Sequence, residues 1–241
     1  MQNNINKSPD LSLKDIKVIS FDVDGTLYDY LKVMKYALSC VLMELTGMDP
    51  FAASRLNVEK LIEIAKDVLR RYKNKFEKLE KIRLEVFRQA LILAGKPDED
   101  IIHRLNDVYM KHRYEDIKLF EDVKPALKAL SGNYSIGLIS NGNSYPKKYG
   151  LADVFQFSIF AQDYGVEKPD PALFHLALQK TGCEKHQILH AGDSLTEDVQ
   201  GAKNAGIISV WVNRTGEKNI ESITPDFEIS NLSELVDILK G

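Results

Sequence analysis

Two aspartates separated by one residue, Asp22 and Asp24, follow a short apolar run and lead into Gly25-Thr26-Leu27. Carboxylates this close repel, and keeping both costs stability unless a cation or a reaction rewards the arrangement. A metal site is the simplest reward; the plain alternative is an acidic turn built on Gly25. A second acidic cluster, Asp193-Ser194-Leu195-Thr196-Glu197-Asp198, also follows an apolar run. Asp193 suits a hard cation through oxygen, and Asp198 either touches the same ion, supports it, or stabilises a helix N-terminus. Ser140-Asn141-Gly142 combines a hydroxyl, an amide and backbone N–H groups that could converge on an anion, although this triplet also makes ordinary turns. Lys168 lies in a loop stiffened by Pro169 and Pro171, where a lone lysine is usually solvated.

The elements that must hold these residues are legible as runs. Short apolar, β-branched stretches at 16–21, 134–140, 157–161, 187–191 and 207–212 read as buried strands. Each is followed by polar or glycine-containing sequence, and the candidate chemistry falls at those ends. Between them, Asp170-Pro171 fits an N-cap with proline at N1, with Gly182 closing that helix. Ser194 and Glu197 have capping-box spacing, Gly206 can end the helix they open, and Pro146 suggests a short helix after the Ser140 triplet. Strands alternating with helices predict an α/β fold: a Rossmann-like parallel sheet with helices on both faces, gathering ligands beyond the carboxyl ends of its strands.

The stretch 30–116 breaks this alternation. Met34, Leu38, Val41, Leu42 and Leu45 form one helical stripe, and Leu61, Ile64, Val68, Leu69 and Tyr72 another. Further helical patterns run over 76–93 and 98–114, broken at Gly95-Lys96-Pro97. The reading is an inserted α-helical bundle at 30–116, with residues 1–29 and 117–241 forming the core and hinges near Asp29-Tyr30 and 116–118.

The bulk properties narrow the partners. A net charge of −3 gives no general electrostatic reason to bind nucleic acid, so any anion site is local. Cys40 and Cys183 are far apart and form no paired motif, which argues against a disulfide framework or a zinc site. Residues 1–15 are polar, without the apolar core of a signal peptide, and no run is long enough to span a bilayer. The expectation is a cytoplasmic enzyme, monomer or homodimer, with no membrane partner.

Taken together, the order D-x-D-G-T, S-N, K-P and G-D-x-x-x-x-D resembles the four signature motifs of the haloacid dehalogenase superfamily. The resemblance covers residues 17–27 and 120–212, and the helical insertion resembles the superfamily's C1-type caps. It implies Asp22 as nucleophile and Asp24 as general acid/base. Ser140, Asn141, Gly142 and Lys168 would hold the substrate phosphate. Asp22, Asp193, Asp198 and the main-chain carbonyl of Asp24 would bind Mg2+, Asp198 by touching the ion or by supporting its other ligands. An acid at position 24 is similar to the phosphatases and phosphomutases of the superfamily rather than its dehalogenases. The stretches Arg83 to Leu91 and Gly165 to Pro169 look like the branch of nucleotide 5′-phosphatases and acylneuraminate-9-phosphatases.

The implied activity is Mg2+-dependent hydrolysis of a small phosphorylated metabolite, a phosphate monoester such as a nucleotide or sugar phosphate, through an aspartyl-phosphate. A sugar phosphomutase on the same core is the alternative, and a non-catalytic phospholigand-binding module is the alternative of another class. Isomerised sugar phosphate without phosphate release would mark the mutase; ligand binding without turnover would mark the module. Within the insertion, Arg83, Arg88, His103, His112 and Arg113 are conceivable substrate contacts, though each is more simply a surface or core residue. Tyr28, Asp29 and Tyr30 could line the entrance of the site.

Overall fold

The β-branched runs form strands, as expected for apolar segments buried on both faces of a sheet. The computed structural model describes residues 13–72, 78–95 and 97–240. The N-terminal segment as far as residue 12, Phe76 and Lys96 fall outside them. Strands β1 (Val18–Phe21), β2 (Ser135–Ser140), β3 (Phe157–Phe160), β4 (Ile188–Gly192), β5 (Ile208–Val212) and β6 (Phe227–Ile229) form one sheet in the order β3-β2-β1-β4-β5-β6. Every pairing is parallel, and helices cover both faces. β6 was not anticipated: three residues, with only Phe227 and Ile229 buried, carry too little pattern to stand out.

The chain divides into two compact units, Met1–Asp29 with Lys118–Gly241, and Tyr30–Ile117. In the first, Val18, Ile139 and Ile159 of the sheet bury against Leu173, Phe174 and Ala177 of the helix Ala172–Thr181, and against Ala202 and Ala205. Fully burying a side chain the size of leucine contributes about 1.5–3 kcal/mol. The helix begins one residue later than the Asp170-Pro171 pattern predicts. Pro171 itself is the cap residue, while Asp170 Oδ1 accepts a hydrogen bond from Ala172 N at 2.9 Å. The helices Val123–Leu130 and Leu232–Lys240 pack on one another elsewhere in this unit.

The second unit is entirely helical among its described residues: Tyr30–Met48, Pro50–Ser54, Val58–Tyr72, Leu79–Ala94 and Glu99–Glu115. Asp49 caps the short helix by accepting from Ala52 N at 2.9 Å, and Asp98 caps the last by accepting from Ile101 N at 3.1 Å. Leu38, Val41, Leu45, Phe87, Leu91, Ile102 and Leu105 make its core. Leu69, expected on the buried stripe, is 49% exposed, whereas Val68 is fully buried. Successive residues on a helix stand about 100° apart, and here it is Val68 that faces inward and Leu69 that turns to solvent. No described helix is long and apolar enough to cross a membrane.

Candidate active site

Every residue that the sequence singled out for catalysis, phosphate or metal belongs to the α/β unit, at the carboxyl ends of β1, β2 and β4 or in the loop before the helix Ala172–Thr181, whereas Tyr30, Arg83, Arg88, His103, His112 and Arg113 belong to the helical unit. The central pairing of β1 with β4 sets the geometry. Its register aligns Ser20 with His190 and Phe21 with Ala191, and Asp22 N donates to Ala191 O at 2.9 Å. The carboxylates that follow the two strands thereby converge: oxygens of Asp22, Asp193 and Asp198 all lie within 4.8 Å of one another.

Gly25 makes this approach possible. Its φ is +94°, and a Cβ there would stand 2.3 Å from Asp193 Oδ2. Asp193 is further fixed by Thr26 Oγ1, which donates to its Oδ1 at 3.1 Å, and by Trp211 Nε1, which donates to its main-chain oxygen at 2.9 Å.

Lys168 is not solvated. At 3% exposure its ammonium is enclosed and donates to Asp22 Oδ1 at 2.7 Å, Asp198 Oδ1 at 2.6 Å and Ile139 O at 2.9 Å. Its loop is held by Asn141, whose Oδ1 accepts from Lys168 N at 2.7 Å while Nδ2 donates to Lys168 O at 3.0 Å and to Glu197 Oε2 at 2.9 Å. The Asn141 side chain, singled out in the sequence as a phosphate donor, is thus occupied with positioning Lys168. Glu197 explains why only half of a capping box forms. Ser194 Oγ accepts from Glu197 N at 3.1 Å, but the glutamate side chain turns to Asn141.

Asp198 is 2% exposed and its oxygens are well supplied with donors. Besides Lys168, Ser194 N donates to Oδ2 at 3.0 Å, and His190 Nε2 lies 3.0 Å from Oδ1. His190 Nδ1 in turn is 2.9 Å from Ser20 Oγ, and its ring meets Phe174 edge-on at 5.0 Å. Asp198 sits in a wide π turn, Leu195–Gln200, in which Val199 N reaches Ser194 O at 3.1 Å. Such turns concentrate at functional sites. His190 and Ser20 went unrecognised in the sequence. Their signal exists only once β1 and β4 are aligned, because both were read simply as strand residues.

Asp24 faces elsewhere. Its Oδ1 accepts from Tyr28 Oη at 2.5 Å, and Tyr28 Oη is 3.1 Å from Ser144 Oγ. A Cβ on Gly142 would meet Asp24 Oδ2 at 2.5 Å, so the absence of a side chain at 142 lets β2's loop close on this carboxylate. Ser140 is fully buried, its Oγ accepting from Gly142 N at 3.1 Å. Pro146–Tyr149 forms the short helix expected there, and it places Tyr149 against Tyr28, ring centroids 6.5 Å apart. Tyr149 Oη is the one buried side-chain polar atom without a hydrogen-bond partner among the described residues. Leaving such a group unpaired ordinarily costs about 1–3 kcal/mol.

The loop after β1 is also braced from outside. Arg214 Nε donates to Thr26 O at 3.1 Å, and its Nη1 and Nη2 donate to the two oxygens of Asp122 at 3.1 and 2.9 Å. The same guanidinium lies over the Phe120 ring at 4.0 Å. Desolvation opposes ionisation of Asp122, but Arg214 and the Leu232 N–H hold its pKa below the ordinary carboxylate value.

The electrostatics set more negative than positive charge in one place. Burial pushes the Asp22 carboxyl well above the usual range; Asp198, Asp193 and Asp24 add to the rise, and Lys168 opposes it. Asp193, although exposed, loses enough hydration to the surrounding protein to rise to about 7, with Asp198 contributing next. Asp198 goes the other way: burial disfavours its charge, but Lys168 and His190 overcome burial and hold it low. Lys168 is raised by Asp198 and Asp22 despite its own burial. Burial lowers His190, which favours neutral imidazole. Three carboxylates therefore share one ammonium, and the hard oxygen donors of Asp22 and Asp193 fit a divalent cation.

The comparisons with known proteins agree on a family. The model for haloacid dehalogenase-like hydrolases matches residues 16–206. The 5-amino-6-(5-phospho-D-ribitylamino)uracil phosphatase of Escherichia coli is 28% identical, covering 93% of this chain and 96% of its own. A pyrimidine 5′-nucleotidase of Escherichia coli is 30% identical over 56% of this chain and 63% of its own. Among solved structures, a 2-haloacid dehalogenase from Pseudomonas syringae superimposes with a TM-score of 0.79 and 32% identity, covering 93% of this chain and 98% of that one.

Proposed function

This chain belongs to the haloacid dehalogenase-like hydrolases, and from that premise we propose that it is a Mg2+-dependent phosphatase acting on a small phosphate monoester, such as a nucleotide or sugar phosphate, through an aspartyl-phosphate on Asp22. The observation that carries the reading is a division of labour among acids. Asp22 and Asp193 share one pocket of negative charge with Asp198, while Asp24 stands apart from that group, bonded to Tyr28.

Asp22 and Asp193 would hold the ion together with the main-chain carbonyl of Asp24. Mg2+ bound there would offset the repulsion between the Asp22 carboxylate and a phosphate dianion. Asp198 acts chiefly by positioning: its Lys168, His190 and Ser194 contacts fix the ammonium beside Asp22. Lys168 Nζ would supply positive charge beside the phosphoryl oxygens, and Ser140 Oγ, the Asn141 backbone N–H and, on release from Ser140 Oγ, the Gly142 N–H would supply donors. Removing one preorganised donor of this kind typically costs about 2.7–4 kcal/mol at the transition state.

In the first displacement an Asp22 oxygen bonds to phosphorus and the ester P–O bond breaks. Asp24 gives its proton to the departing alkoxide, releasing an alcohol. In the second, Asp24 takes a proton from water, the water oxygen bonds to phosphorus, and the Asp22–phosphorus linkage breaks to release phosphate. Asp24 also separates this reading from dehalogenation, which the structural relative's name would otherwise invite. Halide leaves as a stable anion without protonation, so a dedicated proton donor has purpose only for an ester oxygen.

A phosphate-release screen over nucleotides, sugar phosphates and phosphorylated acids, with and without chelator, tests the proposal. Release that needs Mg2+ and disappears in Asp22→Asn is expected. Release that persists in that variant would exclude the covalent route.

A further inference from the structure

The phosphatase mechanism leaves the Tyr149 hydroxyl without a role. The residue is 9% exposed, and its hydroxyl has no hydrogen-bond partner among the described residues. A phenylalanine would fill the same volume without burying an unpaired donor, so the hydroxyl is left to serve a group that arrives. Its location says where. Tyr149 packs beside Tyr28, the residue whose hydroxyl is 2.5 Å from Asp24 Oδ1 and 3.1 Å from Ser144 Oγ. It therefore belongs to the Asp24 side of the site. Burial, then the charges of Asp24 and Asp22, raise its pKa far above that of an ordinary tyrosine, which keeps the phenol protonated and able to donate.

Resting on the phosphatase reading, we propose that Tyr149 Oη is a catalytic hydrogen-bond donor to the oxygen opposite Asp22 across the phosphorus, first the ester oxygen of the substrate and then the attacking water. In-line displacement places both oxygens at one apical position, the position Asp24 must reach. The ester oxygen has two lone pairs. One takes the proton of Asp24, and the other accepts from Tyr149. In the second step one lone pair of water attacks phosphorus, the other accepts from Tyr149, and a water proton goes to Asp24. Negative charge grows on the ester oxygen as its bond to phosphorus breaks, so the Tyr149 bond strengthens towards the transition state. The contribution therefore depends on the leaving group. An alkoxide needs it, whereas 4-nitrophenolate, already a stable anion, does not.

Tyr149→Phe should be compared with wild type on glycerol phosphate and on 4-nitrophenyl phosphate, together with its melting temperature. The readout is kcat/KM, which reports the first displacement. The expected result is a loss of about 10- to 100-fold on the alkyl ester, less than about threefold on the aryl ester, and a melting temperature no lower than wild type. Unchanged kcat/KM on both esters, or an equal loss on both, would overturn the role of Tyr149 and leave the phosphatase reading standing. A wild-type protein that releases phosphate from no ester would overturn that reading and this inference with it.

Discussion

The two units of this chain handle charge in opposite ways. In the helical unit, the ion pairs Lys60 with Glu63, Arg104 with Glu44, and Arg88 with Glu85 and Glu99 lie at or near the surface, and the buried guanidinium of Arg113 lies over the rings of Tyr30 and Tyr114. Such pairs contribute about 0–1 kcal/mol each and can be exchanged without consequence for the core. In the α/β unit, Lys168, Asp22, Asp198 and His190 are enclosed together at the carboxyl ends of β1 and β4. Desolvating these groups is expensive, and an apolar set of equal volume would often be as stable or more so. The α/β unit gathers its buried charges of both signs where a reaction can use them.

The contrast is broken most severely by Lys168→Ala. It leaves Asp22 and Asp198 buried without their common cation, and the destabilisation should be about 3–5 kcal/mol, measured by denaturant unfolding. Asp22→Asn should have the opposite signature. Activity should fall by about 10³-fold or more, while metal-free stability at neutral pH should hold or increase, because one of the crowded acids is removed.

His190→Ala comes next. Asp198 would lose one hydrogen-bond partner and Ser20 another, costing about 1–3 kcal/mol. Activity should fall through a less firmly placed Lys168.

Asp193 sharpens the comparison through pH. Its folded pKa of about 7 lies above the ordinary 3.8, so between those values the folded protein binds more protons than the unfolded chain. Metal-free stability should therefore decline as pH rises from 4 towards 7. Mg2+ should reverse the decline, with its apparent affinity weakening below pH 7 as Asp193 takes a proton. Calorimetric titrations at several pH values check both signs. The smallest effect belongs to the helical unit, where Arg104→Ala should change stability by no more than about 1 kcal/mol.

Much of this was legible in the sequence because the relevant signals are local. β-branched runs marked five strands, and aspartates following two of them marked the acidic site. What stayed hidden depends on pairing or orientation. Ser20 and His190 become partners only through the β1–β4 register. Asn141 shows the same limit: its position next to Ser140 suggested an anion ligand, while nothing local announced that its side-chain amide holds the backbone of Lys168, 27 residues away. Lys168 was singled out only through the motif order, because a lone lysine is usually solvated; the three acceptors that enclose it come from distant parts of the chain. The brace from Arg214 to Thr26 and Asp122 spans most of the chain and leaves no local pattern.

The central claim is that Asp22, and no other residue, accepts the phosphoryl group. Mixing excess protein with a rapidly cleaved aryl phosphate, quenching in acid within the first turnover and mapping the modified peptide by mass spectrometry tests it directly. A hydroxylamine-labile phosphoryl group on the peptide carrying Asp22 is expected. Phosphorylation at a different residue, or full product release in the first turnover with every peptide unmodified, would contradict it.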